Sequence, residues 1–479
     1  MAQPSASVVK VHEKNQNGPV GQANHEVPLY EIRRAIHPRA VHGWFAAWRW
    51  ALVWTTQVIF YGLAWLPWND RQAVLFDIAH RKFYIFGLVF WPQDIVYLTV
   101  LLILAALALF LFTAIAGRLW CGYACPQTVY TEIFMWIEQK VEGDRNARIK
   151  LDQSGFSMKK LLLKAEKHAI WAALALWTGF TFVGYFTPIR ELWGEVLRLD
   201  TGPWETFWVL FYGFATYGNA GWMREQVCIY MCPYARFQSA MFDKDTMIIT
   251  YEPERGEPRG KATVKGKGAG LGDCVDCSIC VQVCPTGIDI RNGLQYQCIG
   301  CAACIDGCDQ VMAKLGRPQG LIRYSTTHAL ERKLTREQMF RRAFRPRVLV
   351  YLAILGAVVG AAAAGLWLRV PLKVDVIRDR AAIAREVEGG RVENVYRLQV
   401  MNTTERARTY EIAVAGLPSL ALAVEPRVEV GAADGRMVLV RVRADPGAVS
   451  AGTHKIEFRI HALDDERVAV QEKSVFIVR

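Results

Sequence analysis

The chain has 479 residues, 52% of them hydrophobic, with 16 Trp, 12 Cys and a formal net charge of +12. So much apolar material argues against a purely soluble protein, and the length allows two to four domains. The positive charge does not point to a nucleic-acid partner, because it is concentrated in alternate loops between apolar stretches, as membrane orientation requires.

In chain order, residues 1–40 are expected to be a cytoplasmic tail. The first 28 are polar, with no apolar core of a signal peptide, and read as disordered. Five stretches then approach spanning length: Gly43–Leu66, Ile95–Ala116, Ala169–Thr187, Trp204–Trp222 and Val348–Leu368. The first carries Arg49, and the third and fourth are rich in aromatics and Gly, so buried core helices are the competing reading for these three. Trp44, Trp65, Trp68, Trp91, Trp204 and Trp222 mark span ends, as an interfacial belt does. The loops Gly117–His168 and Met223–Arg347 hold nine and nineteen Lys/Arg, against three in Pro67–Pro92 and two in Pro188–Pro203. The basic loops should face the cytoplasm and the residues after Arg369 the outer side. Asp94 opens the second span and is expected to cap it.

Two copies of C-x3-C-P follow the second and fourth spans. They are Cys121 to Cys125 before Pro126, and Cys228 to Cys232 before Pro233. The residue before Pro is pushed out of the helical region, and Pro suits a first helical turn, so each motif predicts a break followed by an interfacial helix. A helix N-terminus should lower the thiol pKa. If the hairpins pack as pseudo-symmetric partners, the four sulfurs converge at the inner membrane surface. Three readings stay open: a soft-metal site for Cu(I), with Met223 or Met231 as thioether help; a dithiol relay; and buried structural cysteines.

The Gly- and Lys-rich segment Gly256–Gly272 reads as a flexible linker that lets the next module swing. That module carries two runs of C-x2-C-x2-C-x3-C. The first is Cys274, Cys277, Cys280 and Cys284; the second is Cys298, Cys301, Cys304 and Cys308. This is the spacing of a ferredoxin holding two [4Fe–4S] clusters, in which the fourth Cys of each run ligates the other cluster. One cluster should take Cys274, Cys277, Cys280 and Cys308, the other Cys298, Cys301, Cys304 and Cys284. Zinc is the competing metal, but its motifs pair C-x2-C across a longer spacer, often with His, and no His lies between residues 169 and 327. Pro285 follows the first run, whereas Asp309 stands in that place after the second.

Beyond residue 370, alternating stretches such as VYRLQVMN, RTYEIAVAG, MVLVRVRA and HKIEFRIHA recur between turn residues. They predict an immunoglobulin-like β-sandwich without Cys, a docking or stabilising module. His42 and His168 near the inner surface, and His454 and His461 in the sandwich, are isolated and read as ordinary side chains before ligands.

The chain resembles the CcoG/FixG/RdxA family of bacterial membrane iron–sulfur proteins over nearly its whole length. The resemblance rests on IHPRAVHGWFAAWRW at 36–50, RKFYIFGLVFWPQD at 81–94, LWCGYACPQTVYTEIFMWIE at 119–138, VCIYMCPYARFQSAMFDKDT at 227–246, the double ferredoxin run and the terminal sandwich. It implies an α+β membrane protein of the bacterial inner membrane. Residues 41–250 would be a four-span domain with both C-x3-C-P motifs, and 251–346 a linker and cytoplasmic dicluster module. Residues 347–369 would be the fifth span of the helical bundle, and 370–479 a periplasmic immunoglobulin-like domain. It also implies reduction of Cu(II) to Cu(I) at Cys121, Cys125, Cys228 and Cys232. Copper is then the substrate, for assembly of a cbb-type haem–copper oxidase. The implied partners are membrane lipid, a cytoplasmic electron donor and a copper chaperone or copper-exporting ATPase. Two other functions compete: a quinol-linked respiratory electron carrier, and a non-enzymatic copper-binding scaffold.

Overall fold

The computed structural model describes residues 36–260, 270–379, 384–445 and 447–478. The disordered tail expected over residues 1–28, and the middle of the expected linker, lie outside them. All five apolar stretches contain helix: Trp44–Trp65, Ile95–Ala116, Met158–Val183, Pro203–Thr216 and Pro346–Trp367. Two, Pro92–Ala116 and Pro346–Trp367, are long and apolar enough to cross a membrane. The third helix starts eleven residues before its apolar stretch, because its first turns carry the Lys side chains of a charged inner network. The fourth ends at Thr216 and continues as a π-helical turn, Tyr217–Met223.

These helices run up and down between two faces. The second and last lie antiparallel: the Tyr97 hydroxyl donates to the Gly365 carbonyl at 3.0 Å at one end, and Arg345 donates to the Ala114 carbonyl at 2.7 Å at the other. The third and fourth approach closely through glycine. A Cβ on Gly179 would lie 2.3 Å from the Val209 carbonyl oxygen, the small-residue packing typical of helices in lipid.

At one end of the helices, residues 67–90, a loop by sequence, form two small antiparallel sheets. One pairs Pro67–Trp68 with Arg71–Gln72; the other orders Val74–Asp77, Lys82–Ile85 and Leu88–Phe90. The C-terminal domain docks on them. It is a sandwich of two antiparallel sheets. One orders Ala421–Leu422, Gly435–Ala444, Arg391–Asn402 and Leu372–Arg378, with Arg385–Val387 added at one end of Arg391–Asn402. The other orders Arg427–Val430, Arg408–Ala415, Gly452–Ala462 and Ala469–Val478. Alternate residues of both inner faces make the core, where Tyr396 and Phe458 meet edge to face at 5.0 Å. Arg71 pairs with Glu405 at 2.7 Å and Lys82 with Asp434 at 2.9 Å. Asp94 is not the cap that was expected. Its side chain makes no N-cap bond to the second span but is buried against Arg369 at 2.7 Å and Lys373 at 2.5 Å. Two cations from the far end of the chain outcompete the helix amides for this carboxylate.

The opposite end carries the helix Pro126–Glu142, and the ferredoxin module sits against the start of the first span. The strand Ile248–Tyr251, counted by sequence with the membrane domain to residue 250, pairs with Ile322–Ser325 and so belongs to the module's edge. The swinging module expected from the linker is not what the structure gives. Asp306 accepts from the Phe45 and Ala46 amides at 3.3 and 2.7 Å, capping the first span from 260 residues away. The ends of the linker are tied too, Gly260 to the Cys274 carbonyl and Gly272 to that of Pro258.

Candidate functional site

The two cysteine runs fold as near repeats. In each, the residue after the second Cys, Ser278 or Ala302, adopts left-handed backbone (φ 52° and 60°) and opens a helix, Ile279–Gln282 or Ala303–Lys314. These turns gather the thiols around two cavities. Cys274, Cys277, Cys280 and Cys308 line one, with Tyr251, Met312 and Leu321. Cys298, Cys301, Cys304 and Cys284 line the other, with Ile249, Ile288 and Ile299, and Cys280 borders both. Each cavity thus takes three thiols from one run and the fourth from the other.

The donor sets suit iron–sulfur cubanes. Four thiols in an apolar lining leave no room for hydrated ions, and burial pushes the thiols up, Cys280 to about 11 and Cys298 and Cys308 to about 12. A bound cationic centre offsets that desolvation by taking the thiolate form. Among the described residues no three His, Cys, Asp or Glu gather closely enough for a single ion. A cubane spreads its four ligands over four irons, so it needs no such closeness.

The C-x3-C-P motifs lie beside the second cavity. Cys121 is in the short helix Leu119–Tyr123, and Cys125 is the extended residue before Pro126. Cys228 lies in the π-helical turn Val227–Met231, and Cys232 is the extended residue before the helix Pro233–Met241. The four thiols act on one another electrostatically: Cys228 feels Cys125, Cys121 and Cys232. The Cys121 thiol donates to Gln238 at 3.3 Å. At Cys125 the expected lowering of the thiol pKa does not occur. Burial pushes Cys121 to about 11 and Cys228 to about 12, and Cys125 also rises, although the Gln127 and Thr128 amides at the helix start pull it down. Desolvation outweighs the helix N-terminus.

The motifs and the ferredoxin module touch through backbone. A Cβ on Gly122 would lie 2.7 Å from the Cys301 amide nitrogen, and one on Gly300 would lie 3.1 Å from the Arg118 carbonyl oxygen. Cys121 and Cys228 pack in one apolar cluster with Cys301 and Cys304. Arg118 is buried here. It donates to the Tyr296 and Ala235 carbonyls and, at 2.9 Å, to Ser239, clamping the module to the second motif's helix.

Several contributors are not identifiable from motifs. Arg49 of the first span is 6% exposed, donates to the Cys301 carbonyl at 3.1 Å and lies 3.6 Å from Glu132. A charge within an apolar run was the signal, but its partner lies 252 residues away. Met135 shares a small cavity with Cys228 and Cys301, whereas Met231, one of the two expected thioethers, is 58% exposed, and the other, Met223, is half-buried. The isolated histidines have other partners. His168 bonds Tyr217 at 2.8 Å and stacks on Trp222; His454 meets the Ser450 carbonyl, and His461 lies near Glu411. His42 meets Gln310 through its own carbonyl.

The comparisons with known proteins agree with this layout. Residues 223–327 match the family described as a 4Fe-4S dicluster domain, and 98–142 one described as a 4Fe-4S binding domain. Residues 362–479 match the Ig-like fold at the C-terminus of FixG. Nitrogen fixation protein FixG of Rhizobium meliloti is 38% identical over 91% of this chain and 90% of its own length; protein RdxA of Cereibacter sphaeroides is 40% identical over 91% and 95%.

The chain belongs to the FixG/RdxA family.

It is therefore an iron–sulfur redox protein with the family's dicluster module and terminal immunoglobulin-like domain. Its relation to the ferredoxin-type protein NapH of Haemophilus influenzae is more distant, 23% identity over 44% of this chain. A crystal structure of a FixG-related protein from Vibrio parahaemolyticus aligns with 23% of this chain and 97% of its own at 26% identity, with a TM-score of 0.21.

Proposed function

We propose that this FixG/RdxA-family protein is a cupric reductase anchored in the bacterial inner membrane. In this reading all five apolar helices span the bilayer, the ferredoxin module is cytoplasmic and the sandwich periplasmic. The single observation that carries the reading is the backbone contact of Gly122 with Cys301, which leaves no solvent layer between the ferredoxin module and the C-x3-C-P thiols. When bound, [4Fe–4S] clusters at the eight ferredoxin cysteines supply electrons one at a time, the stoichiometry of Cu(II) reduction. Cys121, Cys125, Cys228 and Cys232 offer the copper substrate soft sulfur two thiols at a time, enough for Cu(I), and that softness favours the Cu(I) product. Gln238 fixes Cys121 in place, and Cys121 and Cys228 pack in an apolar cluster. Cu(I) then leaves to a copper chaperone or copper-exporting ATPase serving a cbb-type oxidase.

The test is anaerobic addition of Cu(II) to reduced protein, following cluster absorbance and a Cu(I)-specific chelator together. One Cu(I) per electron lost is expected; bleaching without Cu(I) overturns the reading.

A second reading is favoured by one observation: the stretch 98–142 matches a 4Fe-4S binding family, and its only cysteines are Cys121 and Cys125. The C-x3-C-P quartet then holds a third cluster. Iron analysis separates the two, about eight irons per chain for the first reading and about twelve for the second.

A further inference from the structure

A cavity of about 860 Å³ opens between the start of the first span and the helix Pro126–Glu142, within the size range of small-molecule sites. The ferredoxin module closes its floor with Pro285 and Ala303, the chain neighbours of Cys284 and Cys304. Trp50 and Trp136 form an aromatic corner in its wall, ring centres 6.2 Å apart and planes at 67°. Arg39 and Lys140 line it as exposed cations, and neither is ion-paired among the described residues. Arg49 lines it too, with a buried Nε that has no hydrogen-bond partner.

We propose that this cavity binds a reduced flavin mononucleotide, the electron donor to the ferredoxin module. The aromatic corner offers one face for a planar ring to stack on and an edge to hold it. The surplus cations suit a phosphate. A nicotinamide gives a hydride, which an iron–sulfur cluster cannot accept, whereas a flavin takes two electrons and releases them singly. A quinol is uncharged and would leave Arg39 unpaired and Lys140 held only by the face of Trp136, 5.8 Å from its ring centre. The electrons balance: one FMNH⁻ becomes FMN, the N5 proton goes to solvent, and two clusters each fall from the 2+ to the 1+ state. The site lies one residue from two thiols of the same cluster cavity, so no further carrier is needed. The proposal deepens the electron-carrying half of the reading above and rests on that half, not on copper.

The experiment uses anaerobically purified full-length protein. Oxidised FMN should show saturable quenching of its fluorescence, and reduced FMN should bleach the cluster absorbance. Trp136 is 44% exposed and Lys140 is also exposed, so Trp136→Leu and Lys140→Glu should leave iron content and the dithionite-reduced EPR signal unchanged. Each should weaken FMN binding about tenfold or more. Absence of saturable quenching, equal FMN affinity in both variants, or reduction by a water-soluble quinol that Trp136→Leu abolishes would each overturn the proposal. If FMN reduces the clusters but Cu(II) does not reoxidise them, the copper reading fails and this one stands. If Cu(II) reoxidises dithionite-reduced clusters but FMN does not bind, only this one fails.

Discussion

The ferredoxin module and the C-terminal sandwich are both held to the helices, but by different means. At the ferredoxin module, contact is backbone against backbone at Gly122 and Gly300, with buried charges at Arg49, Arg118 and Asp306. At the other end, the sandwich rests on the small sheets through a buried apolar patch of Val89, Trp91 and Met401 and through ion pairs, several of them partly exposed, such as Arg71 with Glu405. Glycine contacts fix a separation and tolerate no added atoms. Ion pairs between long side chains orient a domain while allowing small adjustments. An electron path requires the first kind of joint, because transfer weakens steeply with distance; a docking domain needs only the second.

The sharpest way to break this contrast is Gly122→Leu. Its Cβ would meet the Cys301 backbone, which has no slack, so Cu(II) reduction should be abolished while iron content persists. Retained turnover would show that the joint is not the path. Next in size is Cys121→Ser with Cys228→Ser, which should keep both clusters by EPR and lower copper reduction at least about tenfold, the loss of soft ligands being the cause. Normal turnover would move the chemistry elsewhere.

Glu138 tests the buried charges at the end that carries the ferredoxin module. It pairs with Arg224 at 3.0 Å, Arg148 at 3.1 Å and Lys167 at 3.5 Å. Burial alone would raise its pKa, but Arg224, Lys167 and Arg148 together outweigh burial and hold it below the ordinary carboxylate value. Its contribution is therefore complete above the unfolded carboxylate pKa and lost as pH falls through the lower folded one. Glu138→Gln should cost about 3 kcal/mol near neutral pH, with the deficit shrinking in acid. A thermal-stability difference that grows on acidification would refute the sign. The smallest effect is expected at the sandwich joint: Glu405→Ala should cost no more than about 1 kcal/mol and leave copper reduction untouched, with faster proteolytic release of the sandwich as its signature.

The eight ferredoxin thiols were legible because one short spacing has few uses, and the sandwich because its strands alternate in polarity. The breaks at Pro126 and Pro233 were legible because Pro constrains its predecessor. The sheets at residues 67–90 were not, since strands of two to four residues carry too little periodicity to read. The thiol pKa was misjudged because helix ends are visible in sequence and burial is not. Asp94 looked like a cap because its cations, Arg369 and Lys373, are 275 and 279 residues downstream. Arg49 stood out as an oddity, yet only the fold shows that it reaches Cys301.

One consequence of the exchanged fourth thiols concerns how the protein matures. Cys284 serves the cavity of the second run and Cys308 that of the first. Neither run can complete its own centre, so filling one centre pins a thiol of each run and, with it, the backbone that lines the neighbouring cavity. Loading should be all or none, and a chelator that strips one centre should drain its neighbour as well.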